Sequence, residues 1–229
     1  MMTTKNSLKK IIVLKQMEFK MKTLISSLTV LLLVVFAFNN ALASKLDTKS
    51  QTVSNLKAAF EGESTASAKY AAYAKKAKKE GFTKVALLFE AASKSENIHA
   101  KNHSAVLEQL GEAAPKVTPK FEVKSTKENL QDAIKGEGYE VSTMYPGFIK
   151  TSEEGKVTLA SISFSYAYKT EQKHLALYTK ALEQLNAGKE NTLAAKYFVC
   201  STCGNTYDGI APKRCGISMT PSERFITIK

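Results

Sequence analysis

The sequence predicts an all-α four-helix bundle followed by a small C-terminal β domain built on a cysteine knuckle. Three observations lead to this prediction: a segment near residue 55 recurs near residue 129, four long stretches space their apolar residues three and four positions apart, and all three cysteines lie in the last 30 residues. Such spacing gives each helix one apolar stripe, the pattern of helices that pack into a bundle. A chain of 229 residues is long enough for one such core and a small module.

Residues 1–43 have the pattern of a secretory signal peptide. Met21 and Lys22 precede an apolar run over residues 24–38, and the small-residue motif Ala-Leu-Ala ends at Ala43. The run of 15 residues is shorter than the roughly 20 that a membrane span requires. We therefore predict cleavage after Ala43 and a protein exported to the periplasm with no membrane attachment after cleavage. The start is left open between Met1 and Met21, since Met21 would open an ordinary signal peptide by itself. The predicted domains are a signal peptide at 1–43, a bundle at 44–190 and a metal-binding module at 191–229.

The charge of the chain favours an ordinary solvated surface. The formal net charge is +12, and residues 1–43 contribute six lysines and one glutamate to it, which leaves +7 for the remainder. The remaining lysines are spread along the predicted helices without interleaved aromatic residues, so nucleic acid is not an expected partner. Because the cysteines are confined to the C-terminus, a disulfide framework for the whole fold is excluded.

The two halves of the predicted bundle are copies of one helical hairpin. The segments NLKAAFEGES and NLQDAIKGEG place Glu63 and Glu137 at equivalent positions, and each is followed 18 residues later by a glycine, Gly81 or Gly155. A glycine there is typical of a helix end. The second half carries one extra residue after its glycine. We expect this residue in the turn, because within a helix it would rotate the following face by about 100°.

The two hairpins are joined by a long connection. The segment Gly111–Thr126 contains two prolines and is long enough to cross the bundle. Ser125 and Glu128 have the spacing of a capping box that starts the third helix.

Each apolar stripe carries one glutamate, and two of these glutamates are followed by a histidine. Four carboxylates in one core repel each other and are costly to bury, and no lysine or arginine shares the stripes. The motifs SENIH and TEQKH put a glutamate and a histidine three residues apart, on one helix face. Two glutamates plus two Glu-x-x-His pairs form the ligand set of two-metal bundles, so we predict two iron ions, with manganese or zinc as alternatives. The predicted ligands are Glu63, Glu96, His99, Glu137, Glu171 and His174.

Four further polar residues lie near these ligands. Glu140, one turn beyond Glu137, is either an additional metal carboxylate or a solvated surface charge. His103 follows His99 on the same stripe and is predicted to be a hydrogen-bonded core histidine rather than a ligand. Tyr70 and Tyr145 lie two turns beyond the stripe glutamates, where they either hydrogen-bond the metal-bound carboxylates or simply pack in the core.

The motifs FEGES, SENIH, GEGYEVSTMYP and TEQKH, in that order and ahead of the cysteine segment, resemble the rubrerythrin family from about residue 50 to residue 229. The resemblance implies a ferritin-like bundle fused to a rubredoxin-like module, acting as a peroxidase that reduces hydrogen peroxide to water in oxidative-stress defence. It also implies that Glu140 is a ligand, that Glu96 and Glu171 bridge the metals, and that Glu140 is exchanged for His99 on reduction. Glu140, Tyr70 and Tyr145 are then the candidate catalytic residues.

The resemblance also concerns partners. It implies that electrons reach the bundle through the C-terminal module or from an external electron-donor protein. It further implies a homodimer or larger assembly in which one chain's tail serves another chain's bundle. The alternative function is a bundle that stores or senses iron without peroxidase turnover, because an exported protein lacks a familiar reductase beside it.

The C-terminal module departs from the family pattern at its fourth ligand. Cys200, Cys203 and Cys215 match the thiolate ligands of the family, whereas Ser218 stands where the fourth cysteine is expected. Three interpretations remain open: Ser218 binds one iron or zinc ion through oxygen, a water or other exogenous ligand fills the place, or no metal binds and Cys200 pairs with Cys203 as a disulfide.

Overall fold

The computed structural model describes residues 47–229 and, before them, Met17 and Met21, so the predicted signal peptide lies outside the described residues. Thr48–Lys229 forms one compact unit. Among the described residues, no helix has both the length and the apolar character needed to cross a membrane.

The predicted four-helix bundle is confirmed. Helix α1 occupies residues 47–79 of the described range. The elements that follow it are α2 (Thr83–Gln109), α3 (Thr126–Tyr139), a π turn (Glu140–Met144), α4 (Tyr145–Glu154) and α5 (Thr158–Asn186). Because α3 continues through the π turn into α4, these last three elements before α5 together form the third helix of the bundle.

The turns that close the two hairpins are equal in length. In the first, Gly81 has a φ of +87°, and in the second, Lys156 has a φ of +55°. The next residue closes each turn with an equivalent hydrogen bond: the Phe82 amide donates to the Ala77 carbonyl, and the Val157 amide donates to the Ser152 carbonyl. Gly81 is therefore equivalent to Lys156 and not to Gly155, so the second turn holds no extra residue.

The extra residue of the second half lies in the third helix, and the prediction that it lies in the turn was wrong. The π turn Glu140–Met144 takes up one residue locally, since its hydrogen bonds reach five residues along the chain instead of four. The helix beyond the π turn therefore still directs its apolar face into the core, and Tyr145 at the start of α4 is fully buried. A π turn often marks a functional site.

The bundle core consists of two apolar clusters. One contains Tyr70, Phe89 and Tyr178, whose rings lie 5.3–5.9 Å apart, and the other is centred on Tyr145 and Phe164. Aromatic pairs at these distances contribute about 0.5–1.5 kcal/mol each beyond the area they bury. The clusters thus form well-packed walls, and each contains a tyrosine whose hydroxyl reaches the acidic residues.

The start of α3 is fixed by two glutamates. The predicted capping box is confirmed, since Ser125 accepts a hydrogen bond from the Glu128 amide and the Glu128 side chain accepts one from the Ser125 amide. Glu80, at the end of α1, accepts a second bond from the Thr126 amide at 2.8 Å. The long connection therefore ends against the first hairpin.

The predicted small β domain is confirmed as a three-stranded antiparallel sheet. Its strands are β1 (Tyr197–Cys200), β2 (Thr206–Asp208) and β3 (Phe225–Ile228), in the order β2-β1-β3. Between β1 and β2 the chain forms a tight knuckle, in which the Gly204 amide donates to the Cys200 carbonyl at 2.9 Å. Gly204 has a φ of +79°, a conformation that favours glycine. The strands pack on α2 and α5.

Candidate metal centre

All four bundle helices contribute to one buried cluster of acids and histidines. Its members are at most 2% exposed, and they fall into two groups of four whose ligand atoms lie within 4.8 Å of one another. The groups are Glu63, Glu96, His99 and Glu171, and Glu96, Glu137, Glu171 and His174. The structure thus brings together six of the seven predicted bundle ligands.

Glu96 and Glu171 belong to both groups, and each directs one oxygen to each half. Glu171 Oε1 lies 2.8 Å from His99 Nδ1, and its Oε2 lies 2.6 Å from His174 Nδ1. Glu96 Oε2 lies 3.0 Å from His99 Nδ1, and its Oε1 lies 3.1 Å from His174 Nδ1. A carboxylate that bridges two metal ions needs this placement.

The negative charge of the cluster is compensated by protons, on the glutamates and on the histidines. Burial, together with the charges of Glu171 and Glu96, raises the pKa of Glu63 to about 7, against the opposing effect of His99. Burial alone would lower the pKa of His174, but Glu96 and Glu171 outweigh it and raise that pKa to about 10. In this form the cluster therefore retains protons that metal cations would displace.

The donor atoms at the centre of the cluster fit metal binding. Glu96 Oε1 and Oε2, Glu171 Oε1 and His99 Nδ1 are buried and have no hydrogen-bond partner among the described residues. These atoms lie at ion-pair distance from one another without a well-formed hydrogen bond, and because buried polar atoms are nearly always hydrogen-bonded, this arrangement favours bound cations. Mixed carboxylate and imidazole donors suit iron or manganese.

The outer nitrogens of both histidines are held by the C-terminal module. His99 Nε2 donates to the Cys203 carbonyl at 3.0 Å, since a carbonyl only accepts. His174 Nε2 lies 2.9 Å from Thr206 Oγ1, whose own proton goes to the Gly204 carbonyl. Both histidines therefore donate from Nε2, and both direct Nδ1 at the carboxylates, the arrangement that a metal ligand requires.

Gly204 allows the module to approach this closely. A Cβ atom on Gly204 would lie 2.4 Å from His99 Nε2 and 2.7 Å from Ser95 Oγ. Ser95 Oγ donates to the Gly204 carbonyl at 2.8 Å. Sequence reasoning missed Ser95, Gly204 and Thr206, because their roles depend on how the module docks, which no spacing within the chain reveals.

The two candidate tyrosines cross between the halves of the bundle. Tyr70 donates to Glu137 Oε1 at 2.7 Å, and Tyr145 donates to Glu63 Oε1. Burial, followed by the charge of these glutamates, raises both tyrosine pKa values well above the ordinary range. The two phenols therefore remain protonated donors to the ligand carboxylates, in addition to packing in the core.

His103 is a hydrogen-bonded core histidine, as the sequence predicts. It is fully buried, with Nδ1 2.8 Å from Ser163 Oγ and Nε2 3.3 Å from the Tyr145 hydroxyl. Burial and the nearby charge of His99 lower its pKa to about 3, so it is neutral. Because Tyr145 uses its proton on Glu63, His103 Nε2 is the donor to Tyr145. The chain Ser163, His103, Tyr145, Glu63 then has one consistent direction.

Glu140 is the predicted ligand that lies outside both groups. It is half-buried at the start of the π turn and lines a surface cavity of about 380 Å³ together with Gly62 and Tyr70. Burial and the charges of Glu63 and Glu137 raise its pKa well above the usual range. Glu140 thus lies between the buried acids and the surface.

The cysteines form a second, separate cluster in the module. Cys200, Cys203 and Cys215 are fully buried free thiols whose sulfur atoms lie within 4.8 Å of one another. A hydrogen bond from Cys203 is the largest cause that lowers the pKa of Cys200 to about 4, against the effect of burial. A thiolate is the form that binds metal, so the cluster is suited to a metal ion.

Fold and site together define a four-helix bundle with a carboxylate–histidine two-metal centre and an appended thiolate module. The chain matches the family model for rubrerythrin over residues 54–182, more than half of its length. The chain therefore belongs to the rubrerythrin family, whose members are di-iron oxidoreductases with a ferritin-like fold. The bundle is the di-iron domain, and the three-cysteine cluster is consistent with a further metal.

Individual relatives agree with this assignment. Nigerythrin of Nitratidesulfovibrio vulgaris is 33% identical over 81% of this chain and 91% of its own length. Rubrerythrin-2 of Clostridium acetobutylicum is 30% identical over 77% of this chain and 96% of its own. Among solved structures, fully reduced, all-ferrous nigerythrin superimposes with a TM-score of 0.70 at 33% identity, covering 77% of this chain and 86% of that one.

Proposed function

We propose that this protein is a di-iron peroxidase that reduces hydrogen peroxide to water in oxidative-stress defence. The residues of the two ligand groups would hold two iron ions, which in the ferrous state would supply the two electrons that, with two protons, convert one hydrogen peroxide into two water molecules. The observation that carries the proposal is the contact of the thiolate module with both histidine ligands, because a peroxidase needs electrons after every turnover and a storage site does not.

Access for peroxide is assigned to the cavity beside Glu140. This cavity of about 380 Å³ is lined by Tyr70, which donates to Glu137, and by Glu140 itself. Peroxide entering there meets the half of the site that contains a protonated phenol and a carboxyl of raised pKa. Glu140 and Tyr70 are then placed to hold and transfer protons.

His99 and Glu140 have complementary positions in the proposed cycle. His99 Nδ1 lies within 2.8–3.0 Å of both shared carboxylates, whereas Glu140 lies outside the two ligand groups. The family resemblance implies that Glu140 replaces His99 in the oxidised state. Such an exchange requires His99 Nδ1 to leave the carboxylates, while the hydrogen bond of its Nε2 to the Cys203 carbonyl ties the ring to the module.

Electrons are proposed to enter through the module, which receives them from an external donor protein. Cys203 contributes a sulfur atom to the thiolate cluster, and its own backbone carbonyl accepts a hydrogen bond from His99. In the single chain the module lies on its own bundle. We further propose that the protein forms a homodimer or a larger assembly. We also propose that it is exported after cleavage following Ala43, and N-terminal sequencing of the protein from a periplasmic fraction would test this export.

Stopped-flow reoxidation of the diferrous protein tests the proposed activity. We expect hydrogen peroxide to oxidise the site much faster than dioxygen does, and Glu140→Ala to slow the peroxide reaction. Glu61, an exposed residue that lines the same cavity, provides the control Glu61→Gln, which should leave the rate unchanged. Faster oxidation by dioxygen than by peroxide would overturn the proposal in favour of iron storage.

A further inference from the structure

The module presents three sulfur atoms and one hydroxyl oxygen to a single point. Cys203 Sγ lies 3.5 Å from Cys215 Sγ, and Cys200 Sγ lies 3.3 Å from Ser218 Oγ. A tetrahedral metal ion bound by three thiolates still needs a fourth donor. Among the described residues, Ser218 occupies the place beside the cluster where that donor would stand.

The spacing of these atoms fits the edges of one coordination tetrahedron. With metal–sulfur bonds of about 2.3 Å and a metal–oxygen bond of about 2.1 Å, a tetrahedron has sulfur–sulfur edges of about 3.8 Å and sulfur–oxygen edges of about 3.6 Å. The observed sulfur–sulfur distance of 3.5 Å and sulfur–oxygen distance of 3.3 Å are each shorter by a few tenths of an ångström, and the sulfur–sulfur distance is again the longer of the two. A metal ion can therefore be accommodated by a slight expansion.

The hydrogen bonds around Ser218 direct its lone pairs at the cysteines. Thr220 Oγ1 donates its only proton to Thr202 Oγ1 at 2.8 Å. Ser218 Oγ lies 2.8 Å from Thr220 Oγ1, so Ser218 must be the donor in that pair. With its proton committed to Thr220, the oxygen of Ser218 faces Cys200 as an acceptor only.

We propose that Ser218 is the fourth ligand of a metal ion in this module, through its neutral hydroxyl oxygen, completing a site of three thiolates and one oxygen. The proton of Ser218 remains on its bond to Thr220, which serves as the outer partner that orients the ligand. The proposal concerns the module alone and does not depend on the peroxidase activity of the bundle.

Cobalt(II) titration of the metal-free full chain tests the proposal. Thiolate-to-cobalt charge-transfer absorption reports only the module, because the bundle site contains no sulfur. We expect Ser218→Ala to weaken cobalt binding by more than Thr220→Val does, because the loss of an outer partner alone costs about 10–100-fold in affinity. Thr220→Val should weaken it within that range, and Ser218→Cys should increase the charge-transfer absorption by adding a thiolate.

An added anion distinguishes a serine ligand from a bound water. Azide should leave the charge-transfer spectrum of the wild type and of the control Ser222→Ala unchanged, because the fourth position is filled. In Ser218→Ala it should shift the spectrum, because that position is open. The proposal is overturned if Ser218→Ala retains wild-type affinity, if Ser218→Cys leaves the absorption unchanged, if azide shifts the wild-type spectrum, or if the wild type shows no thiolate absorption.

Discussion

At the scale of single residues, the informative signal was a carboxylate in the wrong environment. Glu96 and Glu171 stand on apolar stripes that carry no lysine or arginine, and this indicated a metal cation in the core. The cross-pairing of Tyr70 with Glu137 and of Tyr145 with Glu63 could not be read from the sequence, because it depends on which helices face each other. Spacing located these tyrosines near the site but did not give their partners.

Replacing both tyrosines should slow the reaction with peroxide. In Tyr70→Phe with Tyr145→Phe, Glu63 and Glu137 lose their phenol donors, and we expect reoxidation of the diferrous protein by peroxide to slow at least about tenfold. Tyr178→Phe is the matched control, because the buried Tyr178 hydroxyl has no hydrogen-bond partner among the described residues. Stopped-flow rates equal to those of the control would contradict the assigned role.

His103 should act through Tyr145 rather than independently. In His103→Leu, Tyr145 loses the donor that fixes the direction of its hydroxyl, and we expect a loss of about 1–3 kcal/mol in the free energy of unfolding. A double-mutant cycle with Tyr145→Phe, measured by denaturant unfolding, should show that the two losses are not additive. Additive losses would show that His103 and Tyr145 stabilise the protein independently of each other.

At the scale of elements, the repeat predicted the helices well and the irregular parts poorly. Four stripes and one capping box gave the bundle and the start of α3. The π turn Glu140–Met144 was not predicted, because the sequence shows that the second half has one extra residue but not whether that residue lies in a turn or in a helix. The knuckle was predicted from Cys200 and Cys203, but its docking on α2 and α5 was not, since that contact leaves no periodic pattern.

Gly204 should be the most sensitive position at the contact between module and bundle. Gly204→Ala places a Cβ atom 2.4 Å from His99 Nε2, so we expect weaker metal binding in the bundle and a loss of stability beyond backbone strain. Gly209→Ala is the control, because Gly209 has a similar φ of +74° with nothing within 4 Å of the added atom. Strain alone costs about 1–2 kcal/mol.

Denaturant unfolding and iron titration of both glycine variants would check this prediction. Equal free energies of unfolding and equal iron affinities in the two variants would show that the Cβ atom added at Gly204 does not displace His99.

At the scale of the whole molecule, protons and metal ions compete for the same buried site. In the metal-free protein the pKa of Glu63 is raised from 4.5 to about 7, so the folded state binds more protons than the unfolded state, and stability falls as pH rises through that window. The pKa of His174, raised from 6.5 to about 10, extends the fall to higher pH. Two groups act in the opposite direction: Glu171, whose pKa is lowered to about 2, below pH 4.5, and His103, whose pKa is lowered to about 3, below pH 6.5.

Thermal unfolding at several pH values should show this competition. We expect the Tm of the metal-free protein to fall by at least about 4 °C between pH 5 and pH 9, the change that 1–2 kcal/mol causes in a chain of this size. The iron-loaded protein should show no such fall, because bound metal replaces the protons. A metal-free Tm that rises over this range would contradict the assigned pKa shifts.

The most direct test of the central claim is the number of metal ions per chain, measured by elemental analysis after anaerobic reconstitution with iron. We expect three metal ions per chain in the wild type, two in the bundle and one in the module. In Glu96→Ala with Glu171→Ala, which removes both shared carboxylates, we expect one, with circular dichroism confirming that the helices persist. A wild type that binds no metal beyond the module's single ion, or a double variant that keeps all three, would contradict the two-metal centre.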